Sequence, residues 1–365
     1  MTYQCPRHKA GGPLAARWSS VIGHGLLAIG YGLTGCAPKT PAHSASLDSP
    51  LFSRVEVIGA RGTALGWFNK PRSVAVDAQD NLYVVDMTGR VQKFSPNGAF
   101  LTSWQMEQTD LGKPKGMGCD RDGHLVVLEP HYSRVNHFTP EGKPVAQWGR
   151  HGTNDGELAF PRAVAVNARG EMWVSEYGRR ERVQRFAPRG AQFLQTIGRE
   201  GMGPGEFNRA EGLTVDCADR LYVADSCNHR VQVFSPGGQW LRAYGKPGTG
   251  PGGLSYPYDV QVDATGHQFV CEFGNSRIQV FDARDRPVEI LGGAGSEPGR
   301  FANPWSIALD SKGNLYVADS GNHRVQKLVR RAEGRMSRVE SSPRPQRAAE
   351  LSPSPLAPRP SPLAP

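Results

Sequence analysis

The sequence predicts an all-β chain, with six four-stranded sheets set around one axis as a six-bladed β-propeller. Three observations lead there. With 44 glycines and 29 prolines among 365 residues and 21% charged residues, turns are frequent and no long helical charge pattern shows. The phrase LYVADSCNHRVQVF at residues 221–234 returns nearly unchanged as LYVADSGNHRVQKL at 315–328, 94 positions later. The pattern around that phrase recurs six times at a nearly constant interval.

The six copies begin at Pro71, Pro114, Pro161, Ala210, Pro257 and Pro304, at spacings of 43, 47, 49, 47 and 47 residues. That period is the length of one propeller blade. In the first copy SVAVD and LYVVD alternate apolar and polar residues, and a short turn between them makes a hairpin. RVQKF is the third strand and FLTSW the fourth. A single blade cannot bury both of its faces, so the neighbouring blades must cover them. Each copy also ends its second strand on an acid: Asp86, Glu129, Glu176, Asp225, Glu272 and Asp319. Four to six residues later stands an arginine: Arg90, Arg134, Arg182, Arg230, Arg277 and Arg324. Acids and arginines at fixed places argue for structure, with the acid accepting backbone N–H groups or pairing with the arginine to pin a loop.

LYVADSCNHRVQVF, with the surrounding P-x-x-V-x-V-D and G-x-G-P-G-E-F segments, resembles the NHL repeat. The resemblance covers residues 52–328. It implies the propeller fold and leaves function open, because propellers of this kind serve many tasks.

The sixth copy lacks a fourth strand of its own. SRVEVIGARG at residues 53–62 matches RPVEILGGAG at 286–295, the fourth strand of blade five. Residues 54–58 are therefore expected to be the outer strand of blade six, stitching the ring shut. Deleting residues 52–60 should destabilise the whole domain, and deleting 335–365 should not.

The ends differ from the repeat. Of the net charge of +9, residues 1–50, 51–330 and 331–365 each carry +3, so the ring is nearly balanced. Nucleic acid is not an expected partner. Arg7, Lys9 and Arg17 precede the apolar run VIGHGLLAIGYGL, which ends in LTGC. This resembles a bacterial lipoprotein signal over residues 1–36. The resemblance implies that Cys36 receives lipid and becomes the mature N-terminus, held on the periplasmic or extracellular side of a bacterial membrane. Residues 37–51 read as a flexible tether, 52–330 as the propeller, and 331–365 as a disordered tail rich in proline and arginine.

A site is best sought where the copies differ. The residue after each blade-opening position is Arg72, Lys115, Arg162, Glu211, Tyr258 or Trp305. It precedes the innermost strand, so these side chains should surround the channel mouth, three consecutive cations opposite two aromatics with one carboxylate between. Such a rim suits an anionic or sugar-like ligand. His229 and His323 hold equivalent loop positions and His131 an offset one; they are weak candidates for a metal, and no metal or other cofactor is expected. Cys227 and Cys271 lie on neighbouring blades where a bridge could form, which spacing alone does not decide. No nucleophile–base spacing or phosphate-cradling loop stands out. The expectation is an envelope-anchored monomer that binds a protein, peptide or glycan through its loop-rich face. The alternative is a metal-dependent lyase or hydrolase with its site at the channel mouth.

Overall fold

The structure, a computed structural model, describes residues 44–332 apart from Ala191. The signal, Cys36, residues 37–43 of the tether and the tail beyond residue 332 lie outside the described residues. Among the described residues no helix is long and apolar enough to cross a membrane.

Six blades stand in sequence order. Blade one runs Pro71–Val76, Leu82–Asp86, Arg90–Phe94 and Phe100–Gln105 from the axis outward, each strand antiparallel to the next. The same order repeats from Gly116–Cys119, Pro161–Val166, Ala210–Val215, Pro257–Val262 and Pro304–Leu309. Every second strand is buried along its whole length, which is why LYVVD, MWVSE and LYVAD read as nearly continuous apolar runs. Six apolar clusters hold the molecule together, one for each pair of adjacent blades. Between blades six and one, for example, Ala308, Tyr316 and Val325 pack with Phe68, Val74, Leu82 and Phe94. Blade stability is therefore a nearest-neighbour property, and the ring must close for the first and last interfaces to exist.

Closure comes from the early segment. Phe52–Ile58 pairs antiparallel with Arg324–Arg330, with Val55 opposite Leu328. The tether is shorter than expected: Ser44–Ser46 adds a fifth strand to blade six, with Ala45 opposite Val55. Three polar or small residues carry no readable alternation, and here the unpaired edge of Phe52–Ile58 recruits them through the backbone.

The repeated acids and arginines form a clip. Asp225 accepts the Asn208 N–H at 2.8 Å and bonds to Arg230 at 2.8 Å. Arg230 donates to the carbonyls of Met202, Gly203 and Glu206. Gln232 completes the clip, accepting from the Gly205 N–H and donating to Glu206 O. The polar backbone of a tight glycine-rich connection is thus satisfied from the third strand of its own blade. The connection in turn drives a Phe or Leu into the interface between blades: Phe68, Leu158, Phe207, Leu254 and Phe301 are all 0% exposed. The recurring D-S-x-N-H-R phrase is this clip written in sequence.

Candidate ligand site at the channel mouth

The loops after each second strand and the connections between blades share one face, tied together by these clips. At its centre the innermost strands begin, and Arg72, Lys115, Arg162, Tyr258 and Trp305 line one cavity of about 50 Å³. The Arg72 guanidinium stacks on the Trp305 ring at 3.9 Å, and that of Arg162 lies 5.3 Å from the same ring. Blades three and six face each other across the ring, so the Arg162–Trp305 approach places side chains over the axis itself. The cations therefore meet the aromatics rather than standing opposite them. Tyr258 packs edge-on against Trp305 at 5.7 Å and stacks on Phe273 at 4.4 Å.

Glu211 does not line the cavity. It lies beneath, 0% exposed, as countercharge to Arg162 and to Arg209, whose Nε donates to it at 2.7 Å. One carboxylate thus serves two guanidinium groups. Burial acts to lower the Arg162 pKa, and the charge of Glu211, that of Tyr177 and the hydrogen bond to Glu211 together offset it, leaving the group held above its ordinary value. The Arg162 Nη1 is nevertheless buried with no hydrogen-bond partner among the described residues. Arg72 has a sulfur contact to Met87, and Lys115 donates to the Tyr177 hydroxyl at 3.0 Å; among the described residues neither forms an ion pair with a carboxylate. Burial, then the neighbouring Arg162, pushes the Arg72 pKa down to about 10, and burial lowers that of Lys115. Positive charge is crowded here and incompletely neutralised.

Below the rim, side chains latch one innermost strand to the next. Ser73 accepts from the Met117 N–H, Ser306 from the Val74 N–H, and Asp259 from the Ile307 N–H at 2.9 Å. Asp259 is the acid lining the cavity, and burial pushes its pKa up to about 6. Gly212 stands opposite it, where a Cβ would come within 2.3 Å of the Asp259 carboxylate, so a side chain at that position would displace the latch.

The sequence signal at the blade-opening positions missed Arg209, Tyr177, Phe273 and Asp259. Arg209 was legible one step earlier: the residues preceding the openers are Lys70, Lys113, Phe160, Arg209, Tyr256 and Asn303, again mixed cations and aromatics. Tyr177 and Phe273 hold the first loop position after the repeated acid, where other blades carry Met87, Pro130, Ser226 and Ser320.

The three histidines are not brought together. His229 Nδ1 accepts the Tyr256 N–H and His323 Nδ1 the Lys70 N–H, both at 3.2 Å, so each ties its blade to the next. His131 packs edge-on against Phe160, and burial, Lys115 and Arg72 lower its pKa. Among the described residues the group of three that could share an ion is Asp120, Asp122 and His124, in a turn between strands of blade two. Cys119, Cys217, Cys227 and Cys271 are free thiols, so blades four and five are not bridged.

The NHL repeat family matches residues 207–234 and 301–328, from the buried phenylalanine of the connection through the third strand in blades four and six. NHL repeat-containing protein 3 of Mus musculus is 29% identical over 179 residues, 44% of this chain and 50% of that protein. Peptidylglycine alpha-amidating monooxygenase of Rattus norvegicus is 32% identical over 132 residues, 33% of this chain and 13% of that protein. The chain thus spans about half the length of the first relative and a small part of the second. Among solved structures, the gluconolactonase XC5397 of Xanthomonas campestris superposes with a TM-score of 0.60 at 17% identity, covering 81% of this chain and 99% of that one. A streptogramin B lyase gives 0.52 at 15% identity, covering 72% and 80%. At such identities the likeness is one of fold. The chain is a six-bladed β-propeller that carries NHL repeats in blades four and six.

Proposed function

We propose that this propeller is a binding protein whose channel mouth takes the acidic end of a partner, a carboxylate or phosphate carried by a protein, peptide or glycan. The observation that carries the reading is the buried Arg162 Nη1, which has no partner among the described residues, beside Arg72 and Lys115, neither of which pairs with a carboxylate there. An oxyanion would complete that set through charge-assisted hydrogen bonds, and Trp305 and Tyr258 would flank what it is attached to. The cavity of about 50 Å³ admits an acidic head and leaves the rest of the partner on the loop face; by the same measure one water takes roughly 10–15 Å³. A rigid ring with one loop-rich face suits an interaction role. The lyase or hydrolase reading draws no support from the histidines, which are not brought together; the Nδ1 atoms of His229 and His323 each accept a backbone N–H at a blade junction.

The test is titration of the full chain with inorganic phosphate and with acetate, followed by tryptophan fluorescence, with Trp305→Phe as the signal control. Saturable binding that weakens with salt, and falls about tenfold or more in Arg72→Gln, is expected, since a charged hydrogen bond contributes roughly 1.5–3 kcal/mol. No saturable response, or an unchanged affinity in the variant, would discard the reading. We further propose that Cys36 carries the lipid that holds the ring at a bacterial envelope. Expressed in a bacterium, the wild type should partition with membranes and Cys36→Ser should not; equal partitioning would refute the anchor.

A further inference from the structure

Blade two departs from the repeat, and the departure leaves an open place. In the other five blades the clip acid accepts a backbone N–H from the connection, at Asn69, Ala159, Asn208, Ser255 and Ala302. The same connections drive the buried Phe or Leu between the blades. The connection into blade two is shorter, as the 43-residue spacing records; among the described residues it gives the clip acid no such N–H, and in place of the Phe or Leu it puts Met106, 3% exposed, into the cluster between blades one and two. Glu129 bonds to Arg134 at 2.5 Å and to Asn136 at 2.6 Å through one oxygen, while its other oxygen, Oε1, is buried with no partner among the described residues. Glu129 itself is 1% exposed. The nearby Trp104 Nε1 is likewise buried and unpartnered. Leu111, in the shortened connection, is 68% exposed and does not serve as the anchor. What remains is a groove of about 570 Å³ floored by Trp104, Phe138 and Val145 and edged by Glu129, Arg134 and Asn136. That volume lies within the roughly 300–1,000 Å³ typical of ligand sites.

We propose that this groove binds, in trans, an extended peptide that takes the place of the missing connection: a glycine turn followed by an aromatic or leucine anchor. The other blades define that occupant. Its backbone N–H would meet Glu129 Oε1, a carbonyl would accept from Arg134 or from Trp104 Nε1, and its anchor would pack on Phe138. Phe207 packs on Phe234 in the same way, ring centroids 5.7 Å apart. The site lies on the flank between blades one and two and does not depend on the channel mouth.

The probe is the connection of blade four as a free peptide, GMGPGEFN, residues 201–208 of this chain, labelled and titrated with the full-length protein. Saturable binding is expected, weakened about tenfold or more when the phenylalanine of the peptide is replaced by serine, as removal of one buried aromatic anchor predicts. Val145→Arg, at an exposed position on the groove floor, should abolish binding with the fold intact by circular dichroism. Glu129→Gln should weaken it while Arg72→Gln leaves it unchanged. Absence of binding, equal binding of the serine peptide, or full binding by Val145→Arg overturns the proposal. Self-association that Val145→Arg abolishes would also overturn it, because the occupant would then be a second copy.

Discussion

Replacing Phe52 by alanine tests the closure of the ring at one side chain. Phe52 opens the strand that completes blade six and is 0% exposed. Its ring meets Phe269 of blade five edge to face at 6.1 Å, and the Arg330 guanidinium lies over it at 5.7 Å. Truncating a phenylalanine in such a place costs about 3–5 kcal/mol, transfer and cavity terms together. Two features of the structure push toward the upper end. Phe52 shares a cluster with Val55, Leu291, Phe301 and Leu328, so the cavity opens into the interface between blades five and six. The loss also loosens the strand that joins the two ends of the chain, where no covalent continuity holds the blade together. Against a domain stability of about 5–15 kcal/mol this is a large fraction. Urea unfolding followed by tryptophan fluorescence reads it as a shift in midpoint. Leu101→Ala, on the outer strand of blade one and 49% exposed, is the control and should shift stability by less than about 0.5 kcal/mol. A loss below about 1 kcal/mol in Phe52→Ala would mean that the early strand decorates a ring already closed without it, and the closure argument would fail.

Asp259 has a pKa raised from 3.8 to about 6 by burial, so the folded chain keeps its proton through a window where the unfolded chain has lost it. Stability should therefore fall as pH rises from about 4 to about 6, by on the order of 3 kcal/mol, and level off above. Asp259→Asn should flatten that slope and gain stability at pH 8; parallel pH profiles for the two proteins would contradict it. His323→Ala removes the acceptor of the Lys70 N–H where blade six meets blade one and should cost about 1 kcal/mol at pH 8. Burial, then Arg61 and Lys70, lowers the His323 pKa below 6.5, so the wild type should also lose stability as pH falls through that value, and the variant should lose less; an unchanged acid limb would refute the latch. Lys115→Gln should weaken phosphate binding at the mouth without moving the unfolding midpoint downward, since its half-buried ammonium has, among the described residues, the Tyr177 hydroxyl as its hydrogen-bond partner.

The fold was legible because the blades, blade two's short connection aside, solve the same problem with the same letters. The apolar second strand, the acid, the arginine and the glycine turn recur together, and a missing fourth strand at one end had its match at the other. Ser44–Ser46 was not legible, since its pairing rests on backbone groups and its side chains carry no pattern. The histidines misled for a related reason. At a repeated position a histidine suggests a ligand, whereas here its Nδ1 is an acceptor for a backbone N–H, the role that Ser276 and Glu181 fill at other junctions. The rim was half legible. Comparing copies found the residues that point into the mouth and not Glu211's place beneath them, because which side chain surrenders the cavity to its neighbours depends on packing across the axis.

That contrast gives a physical rule for reading this ring. Where the copies agree, the shared residue is turned to the backbone groups of its own blade or the next. Gln92, Gln184, Gln232, Gln279 and Gln326 illustrate the point: both ends of each amide bond to the connection, and only in blade two does an asparagine, Asn136, take the place. Where one copy departs, a group that its neighbours satisfy internally is left waiting. Arg162 retains a bare Nη1 because blade four offers one carboxylate to two guanidinium groups, and Glu129 retains a bare Oε1 because its connection is short. Desolvating such groups without a partner costs about 1–3 kcal/mol each, more when charged. Each departure carries that cost, and it is on these two groups that the proposed partners would act, by completing the hydrogen bonding that the ring leaves open.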